Sequence, residues 1–194
     1  MVCIRCAPAK GGLHGFDLNN GEKYPMAIRV LVAYATKYGA TAGIAEKLGE
    51  GLRHAGLPAD VTPVERVGDL TPYGAVVLGS AVYIGQWRKE AAAFLTANEQ
   101  ALSQRAVWLF SSGPTGTGDP VQRMNGFRFP ADLQPIADRI HPRDTAFFHG
   151  VIDMKKVSRP EKLIIKGIKA PLGDFRDWGA FSSWAEGIAG ELKK

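Results

Sequence analysis

Residues 28–41 read Ile28-Arg-Val-Leu-Val-Ala-Tyr-Ala-Thr36-Lys-Tyr-Gly39-Ala-Thr41, an apolar strand that runs straight into a small-residue turn. The first half is β-branched and apolar enough for a strand buried on both faces. A helical pattern follows at once, with Ile44, Ala45, Leu48 and Leu52 at helical spacing and Gly56 placed to end the helix. Strand, turn and helix in that order make a phosphate cradle. Unpaired N–H groups and the positive dipole end sit at a helix N-terminus, and Thr36, Gly39 and Thr41 add hydroxyls and close backbone approach there.

The turn narrows the kind of phosphate. A Walker loop needs Gly-x-x-x-x-Gly-Lys before Ser or Thr, and a dinucleotide fold needs Gly-x-Gly-x-x-Gly. One glycine and two threonines fit neither. Thr-x-x-Gly-x-Thr after a first strand resembles the FMN-phosphate loop of the flavodoxin family, carried here by Thr36, Lys37, Tyr38, Gly39, Ala40 and Thr41. The plain alternative is a strand-to-helix turn capped by Thr41.

Length and composition set bounds. With 194 residues, of which 45% are hydrophobic, the chain suits one well-buried α/β domain and is short for two. No apolar run approaches a membrane span. Net charge is +5, from 24 Lys and Arg against 19 Asp and Glu, which suits anionic small molecules or an anionic membrane surface. No nucleic-acid partner is expected. Cys3 and Cys6 form Cys-x-x-Cys, but there is no second pair to complete a metal site and no strand before a helix start to make a redox motif. No metal is expected, and cysteine usage points to a reducing cytoplasmic setting.

Residues 1–25 carry glycines and scattered charges without periodicity, and Met26 opens abruptly into the first strand. The expectation is a leader outside the fold, either a disordered arm or an upstream misreading of the start, and a domain over 26–194. Beyond the first helix, expected over 41–55, strands are expected at 59–64, 75–80, 106–111 and 145–151. Further helices are expected at 90–102, 131–140 and 178–192. Strands alternating with helices predict a doubly wound parallel sheet with right-handed crossovers.

Such sheets bind ligands beyond the carboxyl ends of their strands, where strand order reverses. The loops after the first, third and fourth strands therefore meet around one ligand. A flavin ring needs aromatic or aliphatic cover and a hydrogen-bonding edge. Tyr83 is the candidate cover. Ala81, Val82, Ile84 and Gly85 offer the polar edge, and Ser112, Gly113, Pro114, Thr115 and Gly116 close over the pyrimidine side. Trp87 reads as packing. His54, His141 and His149 read as structural, so no catalytic acid or base is assigned.

Three segments together resemble the branch of the flavodoxin family that contains the menaquinone-dependent protoporphyrinogen dehydrogenases. They are Thr36 to Thr41, Val77-Leu-Gly-Ser-Ala-Val-Tyr-Ile-Gly85, and Gly173-Asp-Phe-Arg-Asp-Trp178 before the last helix. The resemblance implies FMN, a flavodoxin-like five-stranded parallel sheet of order 2-1-3-4-5, and redox chemistry. The branch has a long basic insertion after the fourth strand, where this chain has only Gly113 to Phe129.

Carriers of the family have acidic surfaces, whereas this chain is basic. Positive charge near a flavin stabilises its negatively charged reduced form and favours two-electron chemistry on a substrate. Quinone or porphyrinogen-like partners follow from the resemblance. Lys155, Lys156, Arg159, Lys162, Lys166 and Lys169 interleave with Leu163, Ile164, Ile165 and Ile168, a pattern that lies on an anionic bilayer or packs its isoleucines on the domain. A peripheral position at the inner face of a membrane goes with the first option. The alternatives to an oxidoreductase are a single-electron carrier and a binding module without redox activity.

Overall fold

A computed structural model describes residues 28–194, so the leader at 1–25 and the Cys3/Cys6 pair lie outside the described residues. Five strands run parallel: β1 (Val30–Ala35), β2 (Ala59–Pro63), β3 (Ala75–Tyr83), β5 (Ala106–Ser112) and β6 (Asp144–Phe148), in the order β2-β1-β3-β5-β6. A two-residue strand, β4 (Gln86–Trp87), turns back antiparallel on the end of β3. Counting the parallel strands alone, the order is the expected 2-1-3-4-5.

Alternation along each strand explains the layers. Leu31 and Ala33 of β1, Leu78 of β3 and Leu109 of β5 face α2 (Lys89–Ala97), α3 (Glu99–Leu102) and α5 (Gln134–Ile140). Val30, Val32, Val77, Trp108 and Phe110 face the opposite way, onto α1 (Ala40–His54) and α7 (Trp178–Leu192). Side chains on neighbouring positions point to opposite faces, so helices on both sides require apolar residues at every position. Each fully buried Leu, such as Leu48, contributes roughly 1.5–3 kcal/mol.

The α1 boundaries follow the chemistry of its ends. Gly39 precedes it with φ 89°, a left-handed conformation that glycine adopts without strain. At the other end Gly56 N–H donates to Arg53 O at 2.9 Å and Leu57 N–H to Leu52 O at 3.0 Å, the paired bonds of a Schellman motif. Thr41 is not the cap. It lies one residue inside the helix and is fully buried.

Other expected elements shift for local reasons. The helix expected at 90–102 breaks at Asn98, whose side-chain amide donates to Phe94 O at 2.9 Å. That bond competes with the helical ladder. The helix expected at 131–140 starts only at Gln134, with Pro135 in its first turn, where proline is tolerated. The strand expected over 145–151 ends at Phe148, and Val151–Ile152 forms a separate strand β7 paired with β8 (Gly173–Asp174). Between β7 and β8 lies α6 (Arg159–Gly167), started by a Ser158/Glu161 capping box. A short α4 (Pro120–Arg123), capped by Asp119, was not visible in the sequence.

Candidate functional site

β1 and β5 end within one residue of each other along β3, and β3 runs on to Tyr83. Ala35 pairs with Ser80 and Ala81 with Ser112, so Thr36 to Gly39, Ala81 to Gly85 and Ser112 to Gly116 share one end of the sheet. Thr36 Oγ1 accepts the Gly39 N–H at 3.0 Å, which shapes the turn before α1. The N–H groups of Ala40, Thr41 and Ala42 then have no acceptor among the described residues. Helix geometry leaves these donors free, and the dipole makes them receptive to an anion. A Cβ built at Gly39 would meet nothing within 4 Å, so the turn is open to a ligand.

Thr41 contributes differently from expectation. Its hydroxyl faces Ser112 Oγ at 3.3 Å, both groups buried, and ties the first turn of α1 to the end of β5. Ala81, Val82, Tyr83 and Ser112 are strand residues, not loop residues, because β3 runs on to Tyr83 and β5 to Ser112. The loop after β3 is a tight hairpin with Ile84 and Gly85 at its turn, both at positive φ (51° and 73°). Positive φ at both central residues is the two-residue turn that matches strand twist. Isoleucine is poorly suited to it, yet Ile84 is 92% exposed.

Tyr83 stands between the loops, partly exposed, with Lys37 Nζ 5.9 Å from its ring centre. Burial, followed by the nearby Glu161 carboxylate, pushes its phenol above the usual range, so it stays protonated at neutral pH. Trp87 is buried, its indole N–H donating to Ser111 Oγ at 2.8 Å, which makes it a packing residue as expected.

The loop after β5 is clasped by His149, whose ring nitrogens face Pro114 O at 3.1 Å and Gly118 O at 2.7 Å. That gives His149 a structural task. Thr115 is buried and its Oγ1 has no partner among the described residues. An orphaned hydroxyl at the shared end of β1, β3 and β5 is a vacant polar contact.

Two residues emerge that the sequence reading left without a role. Glu161 accepts from Lys37 Nζ at 2.7 Å, from the Tyr38 hydroxyl and from Ser158, fastening α6 to the turn before α1. Those bonds, Lys37 first, lower the Glu161 pKa to about 2, while Glu161 raises that of Lys37. The Ser-x-x-Glu spacing signals the cap, and nothing in the sequence signals the partners across the fold. Arg176 reaches the first turn of α1 from the far side, Nη1 lying 3.4 Å from Ala40 O. Two cavities of about 550 and 350 Å³ flank β6, and the β1 and β3 loops line neither.

A flavodoxin domain model matches residues 31–178. The chain belongs to the flavodoxin domain family. Solved structures agree on the fold. An archaeal flavodoxin superposes with TM-score 0.58 at 13% identity, covering 86% of this chain and 100% of that one. A flavodoxin from Streptococcus pneumoniae TIGR4 gives 0.53 at 16%, covering 84% and 99%. The Flv1 flavodiiron core from Synechocystis sp. PCC6803 gives 0.59 at 14%, with 87% of this chain matched to 37% of that one. No curated protein sequence matches this flavodoxin domain.

Proposed function

We propose that this flavodoxin domain holds FMN across the β1, β3 and β5 ends and works as an FMN-dependent oxidoreductase of the protoporphyrinogen or quinone dehydrogenase type. The observation that carries the reading is the first turn of α1, with three free N–H groups beside an open glycine turn where the strand ends meet. Thr36 to Thr41 take the phosphate. Tyr83 would cover the ring, and backbone groups of Ala81 to Gly85 and Ser112 to Gly116, with the orphaned Thr115 hydroxyl, would serve its polar edge. When bound, FMN supplies hydride or electron transfer. The chain supplies orientation and charge: Lys37 stays cationic next to Tyr83, and the glycine-rich 113–118 loop is held by His149. Residues 26–194 suffice for this function in the proposal.

The partner side of the proposal rests on α6. It has no buried residue, and Leu163 and Ile164 are exposed on it, with Ile168 and Leu172 exposed just beyond its end. Lys155, Lys156, Arg159, Lys162, Lys166 and Lys169 lie within and around this patch. The isoleucine-packing option therefore loses ground to an anionic bilayer, where a quinone is reached. Among the described residues no helix is long and apolar enough to cross a membrane, and the contact in this proposal is a peripheral one. The exposed Ile84 beside Tyr83 also suits a docking redox protein, which keeps a single-electron carrier as the second reading.

Anaerobic reductive titration of the FMN-loaded protein, with sedimentation on anionic vesicles, separates the two. Reduction in one two-electron step and vesicle binding that weakens with salt support the dehydrogenase, because surface attraction decays over roughly 10 Å at 0.1 M ionic strength. Replacing Lys162, Lys166 and Lys169 with glutamate then releases the protein. Two separated one-electron steps without vesicle binding select the carrier.

A further inference from the structure

The segment Gly173-Asp-Phe-Arg-Asp-Trp178 has no place in the proposed cofactor contacts, yet its residues make defined bonds. Gly173 and Asp174 form β8, and Phe175 N–H donates to Gly150 O at 3.2 Å, which anchors the segment to the link between β6 and β7. Asp177 caps α7 by accepting the Ala180 N–H at 3.0 Å. Arg176 is held between these anchors. Its Nε and Nη2 donate to the two Asp174 oxygens at 2.9 and 2.6 Å, and its guanidinium lies 4.4 Å from the Trp178 ring centre.

The remaining nitrogen, Nη1, faces α1. It lies 3.4 Å from Ala40 O and 2.5 Å from where a Cβ at Gly43 would stand, with the Trp178 ring edge 3.8 Å from the same point. The arginine side chain is only 17% exposed there. Gly43 is thus the floor of a slot that the guanidinium fills against the turn whose N–H groups are free.

We infer that Arg176 is a positioning residue for the phosphate end of the cofactor, a brace that fixes the first turn of α1 so that the Ala40, Thr41 and Ala42 N–H groups converge. A cation near a helix N-terminus opposes the dipole, and the bidentate Asp174 partner neutralises it. That pairing fits a brace better than a direct phosphate ligand. A planar fork is needed to hold Asp174 and face Ala40 together, which lysine cannot do. The inference rests on the FMN reading above.

The test compares FMN with riboflavin, which carries the same ring without the phosphate, by calorimetric titration of the apoprotein. Gly43→Ala displaces Nη1, Arg176→Lys removes the fork, and Asp174→Ala removes its anchor. Each is expected to weaken FMN about tenfold, the scale of one lost charge-assisted hydrogen bond, and to leave riboflavin within about twofold. Thermal unfolding of each apoprotein identifies any variant that fails to fold, and the other two then decide.

Equal losses for both ligands, or no loss, overturn the brace. Tighter FMN binding by Asp174→Ala overturns it too, since freeing the cation would then help a direct ligand. If the wild type binds neither molecule, the FMN reading itself falls.

Discussion

Thr41 and Ser112 offer a sharp test of how the cofactor end is built. Their hydroxyls face each other at 3.3 Å, with Thr41 fully buried and Ser112 nearly so. Thr41→Val keeps the shape of the side chain and leaves the Ser112 hydroxyl without that partner. An unsatisfied buried hydroxyl costs roughly 1–3 kcal/mol, and a contact longer than the usual O–H···O range puts the expected cost at the low end, about 1 kcal/mol. Ser112→Ala costs a similar amount by stranding Thr41. Removing both hydroxyls relieves the mismatch, so the double variant is expected to lose no more than either single one. In urea unfolding of the apoprotein the cycle therefore shows a coupling of about 1 kcal/mol, and in thermal unfolding each single variant melts about 2–4 °C lower. Single losses that add within about 0.5 kcal/mol would refute the pairing and its tie between α1 and β5.

Three other outcomes are expected. Because Glu161 is lowered from 4.5 to about 2 in the fold, its stabilising bonds are complete above pH about 4.5 and are lost as pH falls toward about 2. Hydrogen exchange in α6 rises through that window in the wild type and lacks the step in Glu161→Gln. Ile84→Asn places the favoured Asn-Gly pair in the hairpin turn and raises stability by about 1 kcal/mol in thermal unfolding, whereas a loss would show that the isoleucine packs usefully there. Gly79→Ala drives a Cβ into the buried Phe110 ring and destabilises by about 1–3 kcal/mol in the same assay, partly restored by Phe110→Leu; a neutral change would mean the ring moves freely.

The sheet was legible because its strands are buried on both faces and read as unbroken apolar runs, from Val30 to Ala35 and from Ala75 to Ser80. The cradle was legible because strand, glycine turn and amphipathic helix follow one another within one stretch. What escaped depended on contacts between distant segments. Thr41 read as a hydroxyl for the phosphate, with a cap as the plain alternative, and only the placement of Ser112 beside it shows that its hydroxyl turns inward. Glu161 accepts from Lys37 and Tyr38, which lie over a hundred residues away, and no sequence spacing pairs them. The Gly173 to Trp178 segment stood out as distinctive, while its grip on Gly43 needed the packing of α7 against α1. Asn98 split a helix through one side-chain bond that alanine-rich periodicity concealed.

The most direct measurement is calorimetric titration of the apoprotein with FMN, in the wild type and in a Gly39→Val/Thr41→Ala variant. A β-branched residue cannot hold φ 89° without strain of about 1–3 kcal/mol, so the turn loses its shape in the variant. The account expects one FMN per chain in the wild type and no measurable binding in the variant. A wild type that ignores FMN, or a variant that binds it with unchanged affinity, would contradict the assignment of the 36–41 turn as the phosphate site.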